Sequence, residues 1–171
     1  MGYEMQPKRQ VFFSFHFARD AWRAGQVRNI RDLDGNTPVS DNDWEQVKRG
    51  GDAAIQNWIE NQLKYRSCTI VLIGTETAGR PWVNYEIKRS WELGKGVLGI
   101  YVHNLQDRMG TQSPKGPNPF ANFNLNGVPF DRIVPVYCTE DWNQSTEVYK
   151  KIATNIDSWV ENAIKIRQLY P

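Results

Sequence analysis

The sequence predicts a single α/β domain of three layers, in which a five-stranded parallel sheet of order 2-1-3-4-5 lies between helices. Three observations carry this. Short strand-like runs alternate with helical patterns along the chain. One run, CTIVLI at 68–73, is apolar throughout, as in a strand buried on both faces. The 171 residues, 40% hydrophobic and 23% charged, suit one core. The whole chain, 1–171, is read as one domain, with 1–9 as a flexible N-terminus.

The elements follow in order. Val11 to Phe15 is rich in strand-forming residues and reads as the first, central strand. From about Asp20 to Ile30 the pattern is helical, with Trp22, Val27 and Ile30 as core contacts. Asp32 to Pro38 is a turn cluster, followed by a short edge strand near Val39 and one helical turn over Asp43 to Val47. Asp52 to Tyr65 is a helix with Asp52 as N-cap; Ile55, Trp58, Ile59 and Leu63 recur at helical spacing. Pro81 opens the helix that continues through Trp82 to Leu93, and Gly94 and Gly96 punctuate its end. Val97 to Val102 is the next strand. Residues 103–132 have no periodicity, and a loop of that length is usually functional or disordered. Phe120, Phe123, Leu125 and Phe130 favour a loop folded against the sheet edge. Ile133 to Tyr137 is the last strand. The final helix is amphipathic, with Val148, Ile152, Ile156, Trp159, Val160, Ala163 and Ile164 on one face. Five strands alternating with helices correspond to a flavodoxin-like order.

Composition narrows the function classes. A formal net charge of +2 is too small to argue for nucleic acid. No apolar run is long enough for a membrane span, and the N-terminus lacks a signal-peptide pattern. Gly2 is followed by Gln6 where myristoylation needs Ser or Thr. The two cysteines, Cys68 and Cys138, fall within predicted strands and read as small buried hydrophobes. His16 and His103 are far apart with no cysteine pair nearby, so no metal is expected. A cytoplasmic protein is expected, without nucleic-acid or membrane partners.

In open parallel sheets ligands bind beyond the carboxyl ends of the strands, near the switch point. That places Ser14 to Asp20 and Gly74 to Glu86 at the site. Trp82 and Glu86 are four apart and share a helix face beside the stripe of Val83, Ile87 and Trp91. Glu86 thus stands at the border between core and cleft. A lone glutamate is more often a solvated side chain; its place at the ligand end of the sheet favours a role. The pattern at Lys48-Arg-Gly-Gly-Asp52 suggests an anion site before a helix, but the Asp52 charge would repel phosphate, so it reads as structural. The dinucleotide glycine fingerprint is missing after the first strand, and no Asp ends CTIVLI as a phosphoacceptor would require.

VFFSFHFARD resembles the opening of TIR domains, where a strand ends in Ser and an acidic residue follows; Ser14 and Asp20 fill those places. IGTETAGRPWVNYEI resembles the TIR segment in which a Trp precedes the catalytic Glu by four residues, matched by Trp82 and Glu86; Val83 stands where TIR domains usually carry Cys. FFSFHF, RPWVNYEI and KGPNPF together are similar to the TIR-like domains of bacterial Thoeris antiviral systems. The resemblance covers about Val11 to Phe120. It implies a TIR-like enzyme that cleaves NAD as substrate, not as redox cofactor, with Glu86 as catalytic carboxylate. It also implies a signalling product that acts on a separate effector protein, and homo-oligomerisation on activation.

That chemistry suits one carboxylate. The nicotinamide leaving group is already a pyridinium and needs no protonation, whereas the oxocarbenium-like ribose needs a negative charge nearby. Ser14 and His16 alternate along extended chain and share a face, and Phe15 and Arg19 complete the strand-one loop. Arg19 suits a diphosphate, although a solvated Arg is the commoner case. Trp82 or Tyr85 offers a ring to pack on, although buried aromatics are commonly core. The resemblance adds Asp43 and Trp44, in the loop after the first helix, as nucleotide contacts. Two other readings stand beside this: a nucleoside deoxyribosyltransferase-like enzyme, which would consume free nucleoside, and a non-enzymatic TIR interaction module. Whether the product is linear or cyclic depends on which nucleophile reaches the ribose.

Overall fold

A computed structural model of the chain describes residues 8–30, 33–35, 47–138 and 144–171, with 33–35 described as backbone alone. The strands of its main sheet are β1 (Arg9–Ser14), β2 (Leu33–Gly35), β3 (Cys68–Ile73), β4 (Gly96–Tyr101) and β7 (Val136–Tyr137). They lie in the order β2-β1-β3-β4-β7, each pair parallel. A small antiparallel hairpin, β5 (Asn124–Leu125) and β6 (Val128–Pro129), stands apart. The helices are α1 (Phe17–Arg28), α2 (Gly51–Leu63), α3 (Pro81–Glu92) and α4 (Ser145–Gln168). The α/β class and the adjacent, parallel central strands β1, β3 and β4 agree with the sequence reading.

Alternation along the strands sorts side chains onto two faces. Val11 and Phe13 of β1, Cys68, Ile70 and Leu72 of β3, and Leu98 and Ile100 of β4 pack with Ala24 and Val27 of α1 and with Val148, Ile152, Ile156 and Val160 of α4. On the opposite face Phe12 meets Ile55, Ile59 and Leu63 of α2. Val71, Ile73, Val97 and Tyr101 there meet Val83 and Ile87 of α3. Ser14, two residues after Phe12, follows it toward the α2–α3 face.

Segment 103–132 is built into this second face. Phe120 and Phe130 are buried beside Val71 and Ile73, with Phe123 and Leu125 packed against them. Gly99 makes the seat, since a Cβ there would lie 2.9 Å from the Phe120 ring. The β5–β6 turn is an Asn126-Gly127 pair, both with positive φ, as a two-residue hairpin of matching twist requires.

Several details differ from the sequence reading. Trp22 is not a core contact: α1 buries Asp20, Arg23, Ala24 and Val27, a stripe that turns Trp22 outward at 56% exposure. The second strand is Leu33–Gly35, within the segment read as a turn; Val39 and most of Asp43 to Val47 lie outside the described residues. Asp52 does not cap α2. Gly50 precedes the helix and Gly51 takes φ +79°, so the glycine pair makes the turn and Asp52 sits in the first helical turn. The last strand is confined to Val136–Tyr137, and Cys138 follows it; Ile133 and Val134 are buried as loop residues instead. β1 begins at Arg9, whose guanidinium pairs with Glu161 at 2.6 Å.

Candidate active site

The carboxyl ends of β1 and β3 meet the first turns of α1 and α3. Pro81 fixes the start of α3, its missing N–H costing nothing at that position. Val83, Ile87 and Ser90 form the buried stripe of α3. Glu86 sits beside that stripe. Ser90 ties the helix down, donating to the Glu86 carbonyl at 2.5 Å and sharing a 2.7 Å contact with the Thr69 hydroxyl.

Burial pushes the Glu86 carboxyl up to about 8 from its ordinary 4.5, and Ser14 alone opposes the shift. The Ser14 hydroxyl is itself 1% exposed, yet closes no hydrogen bond of normal geometry. Burial therefore favours the neutral form of Glu86, which is held close to one under-used hydroxyl. Among the described residues, no basic side chain contributes to its titration.

Beyond Ser14 the chain turns through Phe15 and His16 into α1. The Phe15 and Phe17 rings lie 6.3 Å apart, and Phe17 is exposed. His16 precedes α1 in extended conformation, and its carbonyl accepts from the Asp20 amide at 2.9 Å. Burial lowers its pKa, and Arg80 lowers it further, so the imidazole is neutral at pH 7. Its Nε2 lies 4.0 Å from Glu76, and Arg19 reaches the same carboxylate at 3.7 Å.

The long loop covers the end of β3. Gly116 rests on it so closely that a Cβ would fall 2.2 Å from the Gly74 carbonyl oxygen. Thr75 donates to the Pro114 carbonyl at 2.5 Å. Deeper in, Asp20 and Arg23 form a buried pair at 3.2 Å. The Arg23 fork also donates to the carbonyls of Leu105 and Thr111, both at 2.8 Å, and so fastens α1 to the loop.

A model of the TIR-like domain of the Thoeris protein ThsB matches residues 12–107, the span that holds Ser14, Asp20, Trp82 and Glu86. This chain belongs to that TIR-like family. A relative from Bacillus cereus (strain MSX-D12), named "Putative cyclic ADP-D-ribose synthase ThsB1", is 40% identical over 118 residues. That alignment covers 66% of this chain, and the chain spans 61% of the relative.

Within this TIR-like domain the residues singled out from sequence fall into three groups. Ser14 and Glu86 come together. Phe15, His16 and Arg19 line the neighbouring corner. Trp82 and Tyr85 pack edge to face, 5.8 Å apart, against the Phe12–Ile59 cluster, and the Tyr85 hydroxyl donates to Glu60 at 2.9 Å. Asp43 and Trp44 lie outside the described residues. The sequence reading missed the Asp20–Arg23 clamp and the roles of Glu76 and Arg80. An i,i+4 pairing of Glu76 with Arg80 was the one legible signal; the clamp joins segments more than eighty residues apart and has no local signature.

Proposed function

We propose that this chain is an NAD-cleaving enzyme, a glycohydrolase or ADP-ribosyl cyclase, that makes a cyclic ADP-ribose-type signal in antiphage defence. Glu86 is its catalytic carboxylate. The frame is flavodoxin-like, of order 2-1-3-4-5 with Val136–Tyr137 as fifth strand. The observation that carries the reading is a half-buried glutamate at the ligand end of the sheet whose carboxyl meets no cationic partner among the described residues. Such a group is costly to the fold and suited to receive a positive charge from a ligand.

NAD supplies that charge. Its pyridinium favours the ionised form of Glu86, so binding releases the carboxyl proton. The C–N bond between ribose and nicotinamide breaks with its electron pair going to the ring, and nicotinamide leaves neutral. Glu86 then faces the ribose cation, with Ser14 holding the carboxylate in orientation. Water capturing the cation gives linear ADP-ribose; a nucleophile from the adenosine half gives a cycle. The relative's name supports the cyclic outcome. In this reading the protein works in the cytoplasm, assembles with copies of itself on activation and sends its product to a separate effector.

The test is product analysis by mass spectrometry after incubation with NAD, with and without a phage-infection trigger. Nicotinamide and a cyclic ADP-ribose isomer are expected, and Glu86→Gln removes most of both. Consumption of free nucleoside in place of NAD would replace the reading with a deoxyribosyltransferase. A Glu86→Gln protein that turns over at the wild-type rate would remove its basis.

A further inference from the structure

Three basic side chains from two segments gather around one carboxylate. His16 stands before α1, Arg19 in its first turn, and Arg80 just before α3; Glu76 comes from the loop after β3. Glu76 lies 4.0 Å from His16, 3.7 Å from Arg19 and 3.5 Å from Arg80. The Arg80 Nε also donates to the Glu76 carbonyl at 3.1 Å, which holds the loop and the guanidinium in register. Glu76, Arg19 and Arg80 are all nearly half exposed, so these are loose pairs that solvent and ligand can break.

The charges do not balance. Two guanidinium groups face Glu76, a neutral imidazole adds a further donor, and Asp20, which also attracts Arg19 and His16, is already paired with Arg23. Three donor side chains spread around the two Glu76 oxygens at 3.5–4.0 Å leave room for a group with more oxygens and two negative charges. The cluster also shares its elements with the proposed reaction centre: His16 is two residues beyond Ser14, and Arg80 immediately precedes the helix that carries Glu86.

We infer that Glu76 is a built-in competitor for the diphosphate subsite, occupying in the empty protein the donors His16, Arg19 and Arg80 that a dinucleotide's diphosphate takes over. The assignment of the occupant rests on the NAD reading above; the anion site itself does not. Glu76 is then a specificity-setting residue. It holds the donors in place between turnovers and sets a threshold that monoanionic ligands fail to cross.

The experiment is calorimetric titration of inorganic pyrophosphate and of ADP-ribose into the wild type, Glu76→Gln, Arg80→Gln and Glu92→Gln. Glu92 is a control of similar exposure, at the far end of α3. Removing the competitor tightens both ligands about three- to tenfold, the range set by two exposed ion pairs. Arg80→Gln weakens both, and Glu76→Gln combined with Arg80→Gln cancels the gain. In steady state Glu76→Gln lowers KM for NAD by a similar factor. No tightening in Glu76→Gln, or equal tightening in Glu92→Gln, overturns the proposal. Tightening of pyrophosphate but not ADP-ribose overturns the dinucleotide assignment. Failure of the NAD reading is distinct: Glu86→Gln would retain full turnover while the pyrophosphate series stayed as described.

Discussion

Asp20 and Glu86 are two carboxyl groups at the same end of one sheet, and the fold treats them differently. Burial raises both above their ordinary values. For Asp20 the charge and hydrogen bond of Arg23 oppose that rise, and Arg23 passes the restraint on to Leu105 and Thr111. Gly74 completes the enclosure, because any Cβ there would strike the Asp20 carboxylate at 2.1 Å. Among the described residues, Glu86 has only the Ser14 hydroxyl to oppose its rise. A buried acid with a cation of its own serves the structure, and one without a cation is free to meet a cationic ligand. Position in the sheet does not separate the two roles; partnership does.

Breaking the structural side of this pair gives the largest effect. Arg23→Ala leaves Asp20 buried without its counter-charge and releases two loop carbonyls. A loss of about 3–5 kcal/mol is expected, read as a lower denaturant midpoint. A loss under about 1 kcal/mol would show that the clamp is dispensable.

Breaking the other side costs activity instead. Glu86→Gln is expected to slow NAD cleavage about a hundredfold or more, near 3 kcal/mol in the transition state, with the fold intact. Its stability should respond to pH with a definite sign. The folded carboxyl titrates near 8 and its ordinary value is 4.5, so the stability from keeping it neutral is fully present below 4.5 and lost by pH above 8. Wild type should therefore lose stability relative to Glu86→Gln between those values, by at most about 1.4 kcal/mol per pH unit. Thermal melts of both proteins at pH 5 and pH 8 measure the widening gap; a constant gap would mean that Glu86 titrates normally.

The same group shapes the rate. If ionised Glu86 is the working form, kcat/KM for NAD rises toward a plateau above pH 8, and the limb in kcat lies lower because the bound cation favours ionisation. A pH-independent kcat/KM from pH 6 to 9 would contradict this. His16→Ala is the smallest change. A neutral imidazole that orients substrate contributes about one hydrogen bond, so a loss near tenfold or less is expected, mainly in KM. A loss as large as that of Glu86→Gln would make His16 part of the reaction itself.

Much of this protein is local and therefore legible in sequence. CTIVLI shows burial on both faces because β3 is covered by helices on each side. Pro81 and the periodicity of Val83 and Ile87 define α3, and with it the place of Glu86 at the edge of a buried stripe. The Asn126-Gly127 hairpin went unread within the aperiodic stretch 103–132, although an Asn-Gly pair is itself a local hairpin signal. What tertiary structure alone decided is which charged groups meet. Asp20 and Arg23 look like an ordinary helical pair until the loop at 105–111 closes over them. Tyr85 carries no sign in sequence that its hydroxyl is held by Glu60, twenty-five positions away. Glu76 gains its meaning from His16 and Arg19, sixty and fifty-seven positions away. Periodicity records which side of an element is buried; a charged group's partner depends on how distant segments are brought together, and no local pattern carries that information.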